Sequence, residues 1–141
     1  MNLLSLQFVA LLLSGILLGG MLFYSLAFTP LVFMRLPAEM AGRFIRHVFR
    51  VYYLAGAGLA LLAALLAGWS IAGLLLGVTG IASVFALVWL MPTINRNRER
   101  GLEGDEAAAA AFKGLHRASV ALNAAQMAMV LAAFALLAML G

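Results

Sequence analysis

His116, Ser119, Asn123 and Gln126 stand three, four and three residues apart in a stretch that is otherwise mostly apolar. Side chains at those steps share one face of a helix, and from first to last they descend about 15 Å. Hydrogen-bonding groups at that depth in a bilayer either bond to neighbouring helices or line a polar half-channel or ligand pocket. The second polar set is basic: Arg35, Arg43 and Arg50 lie in one segment and are expected near the mouth of such a pocket. His47 precedes one apolar run as His116 precedes another, so the two imidazoles are expected at a similar depth. Met34, Met40 and Met91 are expected on the same side, and thioethers with imidazole suit Cu(I) or a similar soft metal. Two histidines without a spacing signature could also serve as axial haem ligands, and methionine also fills gaps in a core.

Other chemistry is excluded by what the chain lacks. It has no cysteine, which removes disulfides, thiolate metal sites, iron–sulfur clusters and a thiol nucleophile together. No P-loop, H-E-x-x-H or G-x-S-x-G motif occurs. No acid lies inside an apolar run, which argues against a carrier driven through a carboxylate proton relay.

The elements that must position these groups are membrane helices. Of 141 residues, 66% are hydrophobic and 10% charged, where a soluble domain carries about a quarter charged. The mean hydropathy is +1.10. A span takes about 20 apolar residues, so there is no room for a sizeable soluble domain beside the membrane one. Four spans are expected, at about 3–28, 51–68, 71–91 and 118–140, joined by loops at 31–50 and 92–117. The whole chain, 1–141, then forms one transmembrane domain: an all-α, integral membrane four-helix bundle, up-down-up-down. Pro30 and Pro92 are expected to close the first and third runs. The N-terminal run has no Lys or Arg before it and is too long for a signal-peptide core, so it is expected to remain as a span.

Between helices one and two, Arg43, Arg46 and Arg50 alternate with Met40, Phe44, Ile45, Val48 and Phe49. This is the pattern of a short amphipathic interfacial helix leading into span two, with Tyr52 and Tyr53 as interfacial anchors. Gly68, Trp69 and Ser70 alone separate spans two and three, which forces an antiparallel hairpin. Asp105 fits the N-cap of a helix opened by Ala107 to Ala111, and Gly114 would allow a bend in it.

All nine Lys and Arg fall in the loops at 31–50 and 92–117. The positive-inside rule makes those loops cytoplasmic and both termini extracytoplasmic, in a cell inner (plasma) membrane. The pI near 10.4 therefore reflects topology, and no nucleic-acid partner is expected. The lipid bilayer is the expected partner. Small residues give each span a face for close packing: Gly15 and Gly19; Gly56, Ala60, Ala63 and Ala67; Gly73, Gly77 and Gly80; and Ala121, Ala125, Ala128, Ala132 and Ala135. The last of these stripes lies nearly opposite the polar one, so a homo-oligomer contact through the fourth helix is expected.

Pro30, Phe33, Leu36, Ala41-Gly42, Phe49, Tyr52-Tyr53, Pro92, Ile94, Asn95 and the His116-x-x-Ser119-x-x-x-Asn123 run together resemble the pattern of the transmembrane-protein-205-like family over nearly the whole chain. That resemblance implies a four-helix protein with a role in membrane transport or in tolerance of a toxic solute or soft metal, since the eukaryotic relative is associated with cisplatin resistance. The family is distantly similar to the copper resistance D proteins and to the haem-containing bacterial protoporphyrinogen oxidase. The oxidase carries a His in its first span and this chain has none there, which weighs against haem. The alternatives to transport or tolerance are a haem- or metal-bearing membrane redox protein and a structural partner of a larger complex.

Overall fold

A computed structural model describes residues 3–140, with side chains from residue 5 onward. The described residues are helical apart from short turns at 36–37, 68–70, 103–105 and 139–140. In chain order the helices are α1 (Leu3–Phe23), α2 (Thr29–Arg35), α3 (Ala38–Ala67), α4 (Ile71–Phe85), α5 (Met91–Leu102) and α6 (Glu106–Ala138). A π turn, Tyr24–Phe28, fuses α1 to α2, and a second, Ala86–Leu90, fuses α4 to α5. Four rods result, each long and apolar enough to cross a membrane.

Neither proline ends its helix. Pro30 and Pro92 each sit within the first two positions after a π turn. A proline ring clashes with the carbonyl four residues back and leaves it without a donor. In the wider turn, Thr29 N–H donates to Tyr24 O and Met91 N–H to Ala86 O, five residues back in each case. The ladder therefore shifts by one residue and the helix continues. As a consequence, much of the stretch expected as a loop at 92–117 is helical. α5 carries the third rod on to Leu102, and α6 runs without a break through Gly114. The arginine-bearing segment 43–50 likewise forms the early turns of α3, in one helix with span two.

Tight connections make successive rods antiparallel. Packing contacts join α1 to α3, α3 to α4, α4 to α6 and α6 to α1, which closes a four-membered ring. Small residues allow this: Ala57, Ala60, Ala63 and Ala67 of α3 are all buried. One close approach is at Gly80 of α4, where a Cβ would lie 2.6 Å from the Leu61 side chain and 3.2 Å from its backbone nitrogen. A Cβ on Gly15 would lie 3.2 Å from the Phe134 ring of α6, whereas one on Gly19, its expected companion, would meet nothing within 4 Å. One core, around Leu17, Leu76, Val130 and Leu137, fills the end of the bundle away from the arginines; a second, around Tyr53, Ala86, Leu90 and Ile94, lies nearer to them.

Tyr52 and Tyr53 are not anchors at the lipid surface. Tyr53 is 2% exposed, and Tyr52 stacks on Tyr24 with ring centroids 4.4 Å apart. With Phe28 and Phe49 they form an aromatic cluster that ties the first π turn to α3. Both turn inward because the π turn brings Tyr24 into the bundle beside them.

Candidate functional site

The polar file on α6 divides into two parts with different partners. Gln126 is 1% exposed, and its amide Nε2 donates to Thr79 O at 3.1 Å and to Ser83 Oγ at 2.9 Å, both on α4. Asn123 accepts a 2.6 Å hydrogen bond from Tyr52 OH on α3 and donates from Nδ2 to Ser25 Oγ, 3.0 Å away in the first π turn. These two residues join α6 to the other three rods. Ser119 donates to the His116 carbonyl at 2.7 Å, and His116 is exposed, its ring stacked on Phe112.

His116 and Ser119 instead line a cleft of about 970 Å³ at the arginine-bearing end, bounded by α3, the second π turn, α5 and α6. Its basic groups are Arg46, Arg50 and Arg98 with His47 and His116, and Glu99 is the one acid on its wall. Its apolar surface comes from Ile45, Phe49, Leu54, Leu87, Val88 and Met91, among others. Asn123 and Gln126 do not line it. Their hydrogen-bonding capacity is directed at other helices, apart from Gln126 Oε1, which is buried without a partner.

Of the three arginines expected at the mouth, Arg50 lines the cleft and Arg35 and Arg43 do not. Gly42, Arg46 and Arg50 recur every four residues and so form one ridge of α3 that lines the cleft. Arg43 pairs with Glu39 at 3.5 Å on the exposed side, and Arg35 is exposed at the end of α2. Arg98 is a lining residue that sequence reasoning missed. It belongs to the cleft only because α5 continues as a helix past Pro92. Arg46 was recognisable from its four-residue spacing to Arg50.

Among the metal candidates, His47, His116 and Met91 line this same cleft. Met34 and Met40 do not; they are 78% and 52% exposed on the outer surface. Among the described residues no group of three or more His, Asp or Glu is placed to hold a metal ion. The soft-donor set is thus two imidazoles and a thioether. His47 Nδ1 lies 3.0 Å from Arg43 O, a contact that requires the proton on Nδ1 and leaves Nε2 as the basic nitrogen.

Beyond the cleft, Asp105 caps α6 as expected, accepting from Ala108 N–H at 3.0 Å and from Arg100 at 2.7 Å. The Ala108 amide chiefly, with the Arg100 charge, holds its carboxyl below the usual aspartate value.

No curated protein and no solved structure matches this chain. A family model described as Domain of unknown function (DUF4149) matches residues 12–103, from α1 through the end of α5, and so takes in Gly42, Arg46, Arg50 and Arg98. With well over half of its length in that match, the four-helix membrane chain belongs to the DUF4149 family.

Proposed function

We propose that this protein binds an amphipathic organic anion in the cleft at its basic end and handles it as a solute, in transport or in tolerance of a toxic compound. The observation that carries this reading is the cleft's composition: three arginines and two histidines against one acid, above an apolar wall. Like charges clustered beside low-dielectric walls raise the local concentration of a counter-ion, and an apolar wall favours one with a hydrocarbon part. The test is thermal unfolding of the purified protein with short alkyl sulfonates and with alkyl trimethylammonium ions of equal chain length. Stabilisation by the sulfonate, absent with the ammonium ion and lost in Arg46→Gln, is the expected result. Equal shifts from both would overturn the reading.

A second reading, tolerance of a soft metal, is favoured by His47, His116 and Met91 sharing the cleft. The resemblance to the transmembrane-protein-205-like family and, more distantly, to the copper resistance D proteins points the same way. Its test is titration with Ag(I) as a redox-inert soft ion. A stoichiometric site abolished by His116→Ala supports it, and uptake unchanged in that variant counts against it.

The site lies in a bundle that we place in a cell inner membrane, with its basic end cytoplasmic and both termini on the other side, by the distribution of Lys and Arg. We further propose a twofold homo-oligomer through α6. Ala121, Ala125, Ala128, Ala132 and Ala135 are all exposed, which leaves a smooth stripe on the outside of the bundle.

A further inference from the structure

We infer that the cleft is a phosphate clamp: the guanidinium groups of Arg46 and Arg98, brought together over Gly42, hold the phosphate ester group of a ligand whose hydrocarbon chain lies on the wall below. This rests on the anion-binding reading above and names the ligand class. A Cβ on Gly42 would lie 3.2 Å from Arg98 Nη2 and 3.9 Å from Arg46 Nη1. Two cations from different rods therefore converge on one patch of bare backbone, where glycine leaves the space that the Arg98 side chain occupies. Among the described residues neither has a carboxylate within ion-pair distance, Glu99 on the cleft wall included. Among the described residues the ion pairs are Arg43 with Glu39 and Arg100 with Asp105, so the acid nearest in sequence on α3 is already engaged by Arg43.

Both arginines are partly buried, where their mutual repulsion is incompletely screened. A bridging oxyanion converts that repulsion into two charge-assisted contacts. Guanidinium forks match phosphate by paired N–H···O bonds, and two forks from opposite sides fit a tetrahedral group with several oxygens.

The wall below supplies the second half of the recognition. Leu54 lies eight residues beyond Arg46 on α3, about 12 Å deeper. Opposite it stand Leu87 and Val88 of the π turn. Leu54 and Val88 are 62% and 69% exposed on the outer surface, so the cleft opens sideways towards the hydrocarbon as well as towards the loops. A phosphate held at Arg46 and Arg98 thus has an apolar track beneath it that is accessible from the bilayer. The shared chemistry is a phosphate ester with an apolar chain, either a lipid headgroup or a soluble organophosphate.

The experiment uses the full chain in nanodiscs of phosphatidylcholine doped with phosphatidic acid. Native mass spectrometry reads the retained lipid, and calorimetry with hexyl phosphate, hexyl sulfonate and inorganic phosphate reads soluble ligands. Arg46→Gln and Arg98→Gln are expected to weaken binding of the phosphate amphiphile about tenfold or more, and Arg43→Gln to leave it unchanged. Gly42→Leu keeps every charge but fills the space beside Arg98 Nη2 and Arg46 Nη1, so it should weaken binding too; it also reports on the clamp should an arginine variant fail to fold. Phosphatidic acid retained against hexyl phosphate identifies a lipid ligand. Hexyl phosphate bound without lipid retention identifies a soluble one, and either supports the clamp. Phosphate binding indifferent to Arg46→Gln and Arg98→Gln overturns it. Sulfonate binding that depends on Arg46, with no preference for phosphate, removes the clamp and leaves the anion cleft standing; binding of neither removes both.

Discussion

Asn123 and Gln126 look equivalent in sequence, but their bonding differs. Asn123→Leu removes the bonds that Asn123 makes with Tyr52 OH and Ser25 Oγ, two groups held on different rods. Gln126→Leu removes two donated bonds, but Ser83 Oγ still donates to Thr79 O, and the unpartnered Oε1 disappears with the amide. Interhelical hydrogen bonds in bilayers contribute about 0.6 to 2 kcal/mol, so Asn123→Leu is expected to cost about 1 to 2 kcal/mol and Gln126→Leu less than about half of that. Unfolding in mixed micelles by SDS titration, with the exposed change Met139→Leu as a control, measures both; a larger loss in Gln126→Leu would contradict the assignment. The file His116, Ser119, Asn123, Gln126 was legible as a face. Its division between cleft and helix contacts was not, because that depends on Ser25, Tyr52, Thr79 and Ser83, all at least 40 residues away.

At the scale of elements, the pairing of α3 with α4 turns on Gly80. A methyl group there meets the Leu61 side chain at 2.6 Å and its backbone nitrogen at 3.2 Å, so Gly80→Ala must push the two helices apart, at a cost of about 1 to 3 kcal/mol. Gly19→Ala has open space around its Cβ and improves helix propensity, so it should be neutral or stabilising by up to about 1 kcal/mol. Measured side by side, the two alanines should differ in sign, and two equal effects would refute the close approach. The start of α6 is sensitive to pH. Because the folded Asp105 pKa is lowered, its contribution is complete above the ordinary aspartate value and is lost as pH falls through the folded value. The protection of the Ala108 amide, the intrinsic exchange rate over the observed one at each pH, should fall over that acid range, and in Asp105→Ala it should be low at neutral pH also. The cap was legible because it is local. The continuation of α2 and α5 past Pro30 and Pro92 was not, since proline statistics describe ordinary α-turns and each π turn lies just before the ring.

For the whole molecule, the antiparallel ring places both arginine-bearing turns at one end and the start of α1 and the end of α6 at the other. Fusions of the C-terminus to reporters active on either side of the membrane should give signal from the extracytoplasmic reporter. Signal from the cytoplasmic reporter alone would reverse the orientation. The exposed alanine face of α6 makes a second whole-molecule prediction. Since the chain has no cysteine, single cysteines at Ala125 or Ala128 have no background, and oxidation in native membranes should yield dimers from them and little from Leu131. No dimer from either alanine position, with both accessible to label, would remove the interface.

The apolar runs and the connection at 68–70 were enough, without coordinates, to establish four antiparallel membrane helices. Partitioning into a bilayer is a property of each segment's own surface, and a three-residue link leaves its neighbours no other arrangement. The same was true of the Asp105 cap and the outward-facing alanines of α6, which follow from spacing along one helix. Which arginines meet was decided only in three dimensions. Arg46 and Arg98 are separated by most of two rods, and they converge because α3 and α5 form facing walls of the cleft and Gly42 leaves room there for the Arg98 side chain. Charge count along the chain gave the sign of that end of the molecule; the packing of the helices gave it a cleft.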